Sequence, residues 1–395
     1  MKAQLVPRLL QRNPDSLWTA PAFLGLVIAA VAAGASSLAL PLRVSQLAGH
    51  SPSGVLLFYS TTSVAAGCIN LIFTPRVIRA KRRGLILFWL LFAGAIGNAF
   101  IAIVSSWPAA LASGVITCLL TVSYPVFMAV ILERTRQSAS RSSAAAREGY
   151  VVAFVVGLAA FGLVGNSVQV TLIAVSGLAL VTAAISLQIG APRKRIPGAK
   201  EAASPPARRF WLVGPAAAIV LLMKAADSLR GVYLPIYAVS AGLPAYQIAA
   251  TFIVTTVFEI AVLRVLGHLS SRIGAPATIA WINGAAVVAF VALSTGPGFI
   301  GLLASQALYG VFAAGFQSIG LVLLAERTSS IGAGAGLYTA IVQFGGIAGL
   351  IAPTISNRFT PECFLVGAGF ACIAAVVAIL IRSRDRAARP LVEPT

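Results

Sequence analysis

Long apolar segments alternate with short polar connections along the whole chain. Twelve of them hold roughly 20 residues each, the length of helix that crosses the hydrocarbon core of a bilayer. Their approximate ranges are 20–42, 54–75, 85–104, 108–132, 150–165, 168–190, 210–238, 247–266, 276–294, 299–325, 334–355 and 363–381. The pattern predicts an all-α membrane protein with twelve transmembrane helices.

The composition supports this interpretation and excludes other classes of protein. Hydrophobic residues make up 58% of the 395 residues and charged residues only 10%, whereas soluble proteins are about 25% charged. The mean hydropathy is +0.93. A soluble domain of this size cannot bury so much apolar surface. A soluble enzyme, a disordered chain and a disulfide-rich secreted module are therefore excluded.

Basic residues are concentrated on one predicted face of the membrane. Of the 29 Lys and Arg residues, 25 lie in the N-terminal tail, in every second connection and in the C-terminal tail. Arg43 and Arg358 lie on the opposite face, and Lys224 and Arg230 lie within the seventh segment. Because cytoplasmic loops carry such an excess, we expect a multi-pass protein of the cell (inner or plasma) membrane with both termini in the cytoplasm. The positive charge thus indicates topology, and no nucleic-acid partner is expected.

No residue pattern indicates a metal, a cofactor or a catalytic centre. The four cysteines fall in or at the edge of apolar segments, where they act as small packing residues. His50 and His268 are predicted on opposite sides of the membrane, without a nucleophile–base pair. The glycines between 332 and 336 lack the preceding strand and the Gly-Lys-Ser/Thr of a nucleotide-binding loop. We therefore expect neither an enzyme nor an ATP-driven pump.

Three short matches at nearly one offset indicate an internal repeat. The offset is 193 residues between the segments 133–135 and 326–328 (both Glu-Arg-Thr) and between Arg79 and Arg272. It is 194 residues between the segments 40–42 (Leu-Pro-Leu) and 234–236 (Leu-Pro-Ile). Between the copies, residues 191–209 are Pro-rich and charged with no apolar face, which predicts a flexible cytoplasmic linker. The predicted domains are a six-helix bundle at 1–190, this linker, and a six-helix bundle with a short cytoplasmic tail at 210–395.

Two parallel six-helix repeats joined in the cytoplasm resemble the architecture of the major facilitator superfamily. The segment from Gly267 to Gly274 resembles the superfamily's loop signature G-x-L-a-D-R-x-G, with Ser271 at the position of the acid. The first-half copy, from Thr74 to Gly84, keeps the basic residues and also lacks an acid. The resemblance implies the major facilitator fold, in which two pseudo-symmetric bundles bind a substrate between them and expose it to each side in turn.

Shorter segments resemble the bacterial sugar efflux transporters within this superfamily. They are Leu57-Phe58-Tyr59, Ala95-Ile96-Gly97-Asn98-Ala99, Gly242-Leu243-Pro244 and Phe258-Glu259-Ile260, the last with its glutamate in mid-helix. The fifth segment differs, because the family has an Arg followed by a Trp and a Gly-Pro-Pro run, whereas Arg147 here is followed by Phe154, Gly157 and no proline. The resemblance implies efflux of sugars or related small polar molecules.

Four charged residues lie well within the predicted helices, and their charges sum to zero. They are Lys224, Asp227 and Arg230 in the seventh segment and Glu259 in the eighth. Their spacing places Asp227 beside either base on one helix face, and Glu259 is expected to meet Arg230 or to line the pore. A buried carboxylate whose base is released as the halves move takes up or releases a proton, so the cluster predicts proton antiport. The alternative is a static cluster that joins the two helices.

Polar and aromatic side chains within the helices form a candidate substrate-binding set. A sugar site needs hydrogen-bonding groups and an aromatic surface for the apolar sugar face. The candidates are Tyr59, Asn98, Asn70, Tyr124, Tyr233, Tyr237, Gln317 and Gln343. The alternative for each is a hydrogen bond between helices.

The repeated Glu-Arg pairs lie at predicted cytoplasmic helix ends. The candidates for a gate or interface salt bridge are Glu133, Arg134, Glu326, Arg327 and Arg272.

Two other functions stay open at this point. A multidrug or antibiotic exporter of the same superfamily would have a more apolar cavity, and a membrane-embedded enzyme is a remote alternative. The expected partners are a small-molecule substrate, protons and the lipid bilayer. Because the short connections contain no docking domain, we expect a monomer.

Overall fold

The chain is helical throughout the part that the computed structural model describes, which is residues 16–134, 139–165, 167–191, 210–327, 331–356 and 359–387. The α-helices are α1 (Ser16–Leu47), α2 (Pro52–Arg79), α3 (Arg83–Ile103), α4 (Trp107–Thr117), α5 (Ser123–Arg134), α6 (Ala139–Val164), α7 (Val168–Ser186), α8 (Phe210–Ser240), α9 (Ala245–Ile273), α10 (Ala275–Ser294), α11 (Phe299–Arg327), α12 (Ile331–Leu350), α13 (Ala352–Ser356) and α14 (Phe364–Ala387). Short 3₁₀ turns cover Cys118–Val122 and Pro361–Cys363.

The predicted all-α, twelve-helix architecture is confirmed. Ten apolar spans within the described residues are long enough to cross a membrane, and a shorter apolar helix covers Ile341–Ile355. The remaining membrane helix is α8, which has 31 residues and carries three charged side chains near its middle.

Two predicted helices are interrupted, and several run further than the apolar pattern indicated. The fourth predicted segment consists of α4, the 3₁₀ turn and α5, and the eleventh is divided between α12 and α13. Helix α9 continues to Ile273, so most of the signature segment is helical. Gly274 ends the helix with a φ of 85°, a conformation that a side chain disfavours. Arg272 is favourable in the last turn of α9, because a basic residue stabilises the negative end of the helix dipole.

The chain forms two compact units. One contains residues 1–43 and 68–197, and the other contains 44–67 and 198–395. In the first unit α3 packs against α7 and α4. In the second, α10 packs against α14 and α11, α9 packs against α11, and α8 packs against α12 and α14. The predicted linear division at 191–209 stays a prediction.

Close packing of α12 against α8 positions the charged part of α8. A Cβ atom at Gly349 would overlap the carbonyl oxygen of Ala225, and one at Gly346 would lie 2.7 Å from the Ser228 hydroxyl. These glycines let the two backbones approach without a side chain between them, as in other membrane helix pairs. The contact covers the helical turns that carry Lys224 and Asp227.

Candidate functional site

Helix α8 presents an ion pair on one face. Lys224 and Asp227 are three residues apart, which places them on neighbouring turns of the helix. The Lys224 Nζ atom donates a hydrogen bond to Oδ2 of Asp227 over 2.7 Å. Both side chains are partly buried, with 20% and 29% of their surfaces exposed. The interaction that the spacing predicted is therefore present.

The second oxygen of Asp227 is bound by a residue of another helix. Tyr309, which is buried in α11, donates its hydroxyl to Oδ1 of Asp227 over 2.7 Å. Its ring packs edge-on against Phe290, with 5.8 Å between ring centroids. Asp227 therefore accepts a hydrogen bond on each oxygen, from two different helices.

Arg230 lies one turn further along α8 and is bound by neutral groups. Its Nε atom donates to Oε1 of Gln306 over 2.8 Å, and its Nη2 atom donates to Oγ1 of Thr255 over 2.7 Å. The guanidinium carbon lies 3.9 Å from the ring centroid of Phe252 and 4.7 Å from that of Tyr309. Such positions over aromatic faces stabilise a desolvated cation, so Arg230 remains buried without a hydrogen-bonded carboxylate among these contacts.

The side-chain amide of Gln306 is hydrogen-bonded through its oxygen but not through its nitrogen among the described residues. Its Oε1 atom also accepts a hydrogen bond from Thr255 Oγ1 over 3.0 Å. Because two donors point at Oε1, the orientation of the amide is determined. The Nε2 atom is buried with no hydrogen-bond partner among the described residues. Gln306 therefore keeps a buried donor available beside Arg230.

Glu259 lies in the same region of the second unit. It is buried in α9, one turn after Thr255, which binds Arg230. Glu259 and Asp227 both contribute to the electrostatic environment of Arg230. The four charged residues are thus gathered where α8, α9 and α11 meet, and the hydrogen bonds of Arg230 run to Gln306 and Thr255.

Sequence reasoning missed Thr255, Gln306 and Tyr309, which complete this cluster. They are neutral, and neutral polar residues are common in membrane helices. The available signal was spacing: Thr255 precedes Glu259 by four residues, and Gln306 precedes Tyr309 by three, so each pair shares a helix face. That α9 and α11 are neighbours is visible only in the fold.

The predicted substrate-binding residues divide between the two units. In the second unit, Tyr233 donates its hydroxyl to the Leu350 carbonyl over 2.9 Å, and Tyr237 packs edge-on against Phe364. Tyr59 has a buried hydroxyl with no hydrogen-bond partner among the described residues. Gln317 is exposed on α11, and Gln343 is partly buried on α12.

In the first unit, the predicted residues bind mainly other helices. The Nδ2 atom of Asn98, in α3, donates to the Leu172 carbonyl and to the Ser176 hydroxyl, each over 2.9 Å. Asn70 donates to the Thr121 hydroxyl over 2.8 Å. Tyr124 is 39% exposed and packs edge-on against Tyr150. Among these three residues, Tyr124 is the most exposed.

Two of the five gate candidates make salt bridges to residues distant from them in sequence. Glu133 binds Arg83 over 2.6 Å, and Arg83 is buried at the start of α3 although the sequence placed it in a connection. Arg327 binds Asp385 of α14. Arg272 is exposed. The side chains of Arg134 and Glu326 lie outside the described part of the chain.

No group of three or more His, Cys, Asp or Glu side chains that could hold a metal ion occurs within the described residues.

One family model matches most of the chain. The sequence profile of the Major Facilitator Superfamily matches residues 22–350. No curated protein matches the chain by sequence.

Solved transporter structures share the fold at low sequence identity. A variant of the nucleoside transporter NupG is 13% identical with a TM-score of 0.76, and the match covers 92% of this chain and 99% of that one. A bacterial homologue of the human lysosomal transporter Spinster is 11% identical with a TM-score of 0.73, covering 94% and 98%. A bacterial homologue of the iron transporter ferroportin is 14% identical with a TM-score of 0.72, covering 94% and 100%. Because two of these proteins are named for different substrates, nucleosides and iron, the likeness supports the fold and not a substrate.

Proposed function

The chain belongs to the Major Facilitator Superfamily, and we propose that it is a secondary active transporter that exports sugars or related small polar molecules in exchange for protons. The transport mode is alternating access by a monomer in the cell membrane, with both termini in the cytoplasm. The observation that carries the proposal is the cluster of Lys224, Asp227, Arg230 and Glu259 in the second unit, in which Arg230 and Glu259 are buried and Lys224 and Asp227 are partly buried. The family makes the protein a transporter rather than an enzyme.

Two buried and two partly buried charges within membrane helices need an explanation beyond helix packing. Moving an ion out of water carries a penalty of several kcal/mol even after relaxation of the protein. Apolar residues and glycines already hold α8 against α12. Charged residues inside membrane helices mark ion and proton pathways more often than structural sites. These points favour proton coupling over a static cluster.

The charge balance suits a proton switch. With all four groups ionised the cluster is neutral, and protonation of one carboxylate leaves a net charge of +1 beside Arg230. A buried unit charge is strongly unfavourable, so each protonation state favours a different arrangement of α8 and its neighbours. A proton bound on one side of the membrane therefore biases the conformation that opens to the other side.

The cluster occurs in only one of the two sequence repeats. At the offsets of 193 and 194 residues, the positions equivalent to Asp227 are Gly34 and Ala33, and those equivalent to Glu259 are Ala66 and Ala65. None of these first-half positions carries a carboxylate. We therefore assign coupling to the C-terminal repeat.

We base the proposed substrate class on uncharged polar groups of the second unit. The Tyr59 hydroxyl and the Gln306 Nε2 atom are buried without partners among the described residues. Hydroxyl groups of a sugar would satisfy them, and the tyrosine rings would cover its apolar faces. The neutral cluster also gives no net charge with which to select an ionic substrate. Export as the direction rests on the resemblance to sugar efflux transporters.

The test is transport of a labelled sugar panel in proteoliposomes, with and without an imposed pH gradient. The wild type is compared with Glu259→Gln and Asp227→Asn. Glu148→Gln is the matched control, because it removes a carboxylate at an exposed position of α6. We expect gradient-driven sugar movement in the wild type and the control, and its loss in at least one cluster variant.

Other outcomes would change the proposal. Movement of cationic or apolar drugs in place of sugars would favour the drug exporter. Sugar movement by the wild type at the same rate with and without the pH gradient would refute proton coupling.

A further inference from the structure

Three exposed basic residues lie side by side where α2 ends and α3 begins. They are Arg79, the last residue of α2, and Lys81 and Arg82, which follow it directly before α3. None of the three has a salt bridge among the described residues. The chain has no acidic residue between Asp15 and Glu133, so no carboxylate close in sequence offsets their charge. We call these three residues the basic connection.

The buried Arg83 fixes the basic connection to the first unit. Its side chain binds Glu133 over 2.6 Å and the carbonyl of Gly190 over 2.7 Å. The carboxylate of Glu133 is therefore already engaged, and the connection is tied to the end of α5 and to the chain that leaves α7. A connection that is held in place loses little conformational freedom when a ligand binds to it.

Helix α3 has an exposed apolar face directly below the basic connection. Leu85, Ile86 and Trp89 are 42%, 39% and 59% exposed. With Arg82 they follow the spacing i, i+3, i+4, i+7, which places all four on one side of the helix. Tryptophan is enriched in membrane proteins where headgroups meet acyl chains. This side of α3 therefore combines a cation at the level of the headgroups with apolar side chains at the level of the acyl chains.

The second repeat shows that membrane orientation does not account for this charge. At the offset of 193 residues, Arg79 corresponds to Arg272, whereas the segment 81–82 (Lys-Arg) corresponds to 274–275 (Gly-Ala). Both connections lie on the same predicted face of the membrane. The additional cations of the first connection are therefore available for another role.

We propose that the basic connection binds the phosphate headgroup of an anionic phospholipid, with an acyl chain along Leu85, Ile86 and Trp89. The lipid belongs to the leaflet that is predicted to face the cytoplasm. Charge complementarity identifies this partner, because basic residues directly beside a membrane helix attract anionic headgroups. Arginine also binds phosphate through two parallel hydrogen bonds. Such binding requires neither the proposed substrate nor proton coupling.

The expected preference for an anionic lipid follows from the number of cations. One basic residue near an anionic membrane surface corresponds to about a fivefold gain in binding. Three of them give at most about a 100-fold preference over a zwitterionic lipid. Ordering of long side chains reduces this value, and we expect about tenfold at low salt. The preference should decrease at high salt, because exposed charges are screened.

Two tryptophans of the chain provide a probe and its matched control. Trp89 lies six residues after the start of α3 at Arg83, and Trp281 lies six residues after the start of α10 at Ala275. They are 59% and 71% exposed. Lipids with brominated acyl chains quench the fluorescence of tryptophans that they contact. The difference between the wild type and Trp89→Phe or Trp281→Phe isolates each signal.

The measurement compares two brominated lipids in bilayers of the full-length protein. We expect brominated phosphatidylglycerol to quench Trp89 at a mole fraction about tenfold lower than brominated phosphatidylcholine does. At Trp281 the two lipids should differ little. This comparison leaves every basic residue in place, so it does not depend on whether a charge variant folds. An equal lipid preference at Trp89 and Trp281 would overturn the proposal.

Charge variants test the basic connection itself. The triple variant Arg79→Gln, Lys81→Gln, Arg82→Gln should lose the lipid preference at Trp89. A matched triple variant removes the same charge elsewhere on the same predicted face and should keep the preference. Its substitutions are Arg264→Gln, Arg382→Gln and Arg384→Gln. An equal loss in both triple variants would indicate a general surface attraction and overturn the site.

Two further measurements separate a lipid site from an ion site. Arg79→Lys with Arg82→Lys keeps the charge, and we expect it to retain most of the preference at Trp89. Millimolar inorganic phosphate at constant ionic strength should leave the quenching unchanged, because a free ion lacks the acyl chain that lies along α3. Displacement of the lipid by inorganic phosphate would assign the site to the ion and overturn the proposed lipid.

Discussion

Replacement of Arg83 by alanine should destabilise the first unit more than any other single change of a charged residue there. Arg83 is 2% exposed and donates to Glu133 over 2.6 Å and to the Gly190 carbonyl over 2.7 Å. It therefore joins three elements, namely the start of α3, the end of α5 and the chain that leaves α7. The substitution removes the cation and leaves Glu133 without this partner.

The magnitude follows from these contacts. Removal of one partner of a buried ion pair destabilises proteins by about 3–5 kcal/mol. Glu133 retains 20% exposure, which allows partial solvation and favours the lower end of that range. The hydrogen bond to the Gly190 carbonyl adds about 1.5 kcal/mol, although the two contributions overlap. We expect a loss of about 3–4 kcal/mol for Arg83→Ala and about 1–2 kcal/mol for Glu133→Gln, which keeps a hydrogen-bond acceptor.

The assay is equilibrium unfolding in mixed detergent–SDS micelles, followed by tryptophan fluorescence. A double-mutant cycle with Arg83→Ala and Glu133→Ala isolates the pair, and we expect a coupling free energy of about 2 kcal/mol. Glu148→Gln, at an exposed position, should change the free energy of unfolding by less than about 0.5 kcal/mol. A loss below about 1 kcal/mol for Arg83→Ala would refute the reasoning, because surface ion pairs contribute that little.

Three further predictions concern packing and the substrate site. Gly349→Val should lower stability by about 2 kcal/mol or more because its Cβ overlaps the Ala225 carbonyl, whereas Gly369→Val, whose Cβ meets nothing within 4 Å, should be neutral in the same SDS-unfolding assay. Asn98→Ala should lower stability by about 1 kcal/mol through loss of hydrogen bonds between α3 and α7, with KM unchanged; a raised KM at unchanged stability would instead make it a substrate ligand. Tyr59→Phe should raise KM for a sugar about fivefold to tenfold without lowering the melting temperature, and an unchanged KM would remove Tyr59 from the substrate site.

The apolar pattern was sufficient for the fold, because transmembrane helices are defined by length and hydropathy. It was weaker at helix ends. Helix α9 reaches Ile273 because basic residues are compatible with a helix C-terminus outside the hydrocarbon core. The apolar pattern also placed Arg83 in a connection between helices. The sequence does not show that a carboxylate and two carbonyl groups accept hydrogen bonds from this residue.

The candidate site was visible from the sequence only in its charged members. Charges inside apolar segments are rare, so Lys224, Asp227, Arg230 and Glu259 stood out. Their partners did not, because polar neutral residues such as Gln306 serve helix packing as often as function. The hydrogen-bond partner of each charged residue depends on how α8, α9 and α11 pack against one another, and this packing is seen only in the tertiary structure.

Proton movement driven by substrate tests the central claim most directly. Coupling is reciprocal, so a sugar gradient imposed across proteoliposomes should drive protons in the opposite direction, and a pH-sensitive dye trapped inside reports them. We expect this proton flux in the wild type and in Glu148→Gln, and its absence in Glu259→Gln, Asp227→Asn or both while labelled sugar still exchanges. Sugar movement without any proton flux in the wild type, or an undiminished proton flux in both cluster variants, would contradict the account.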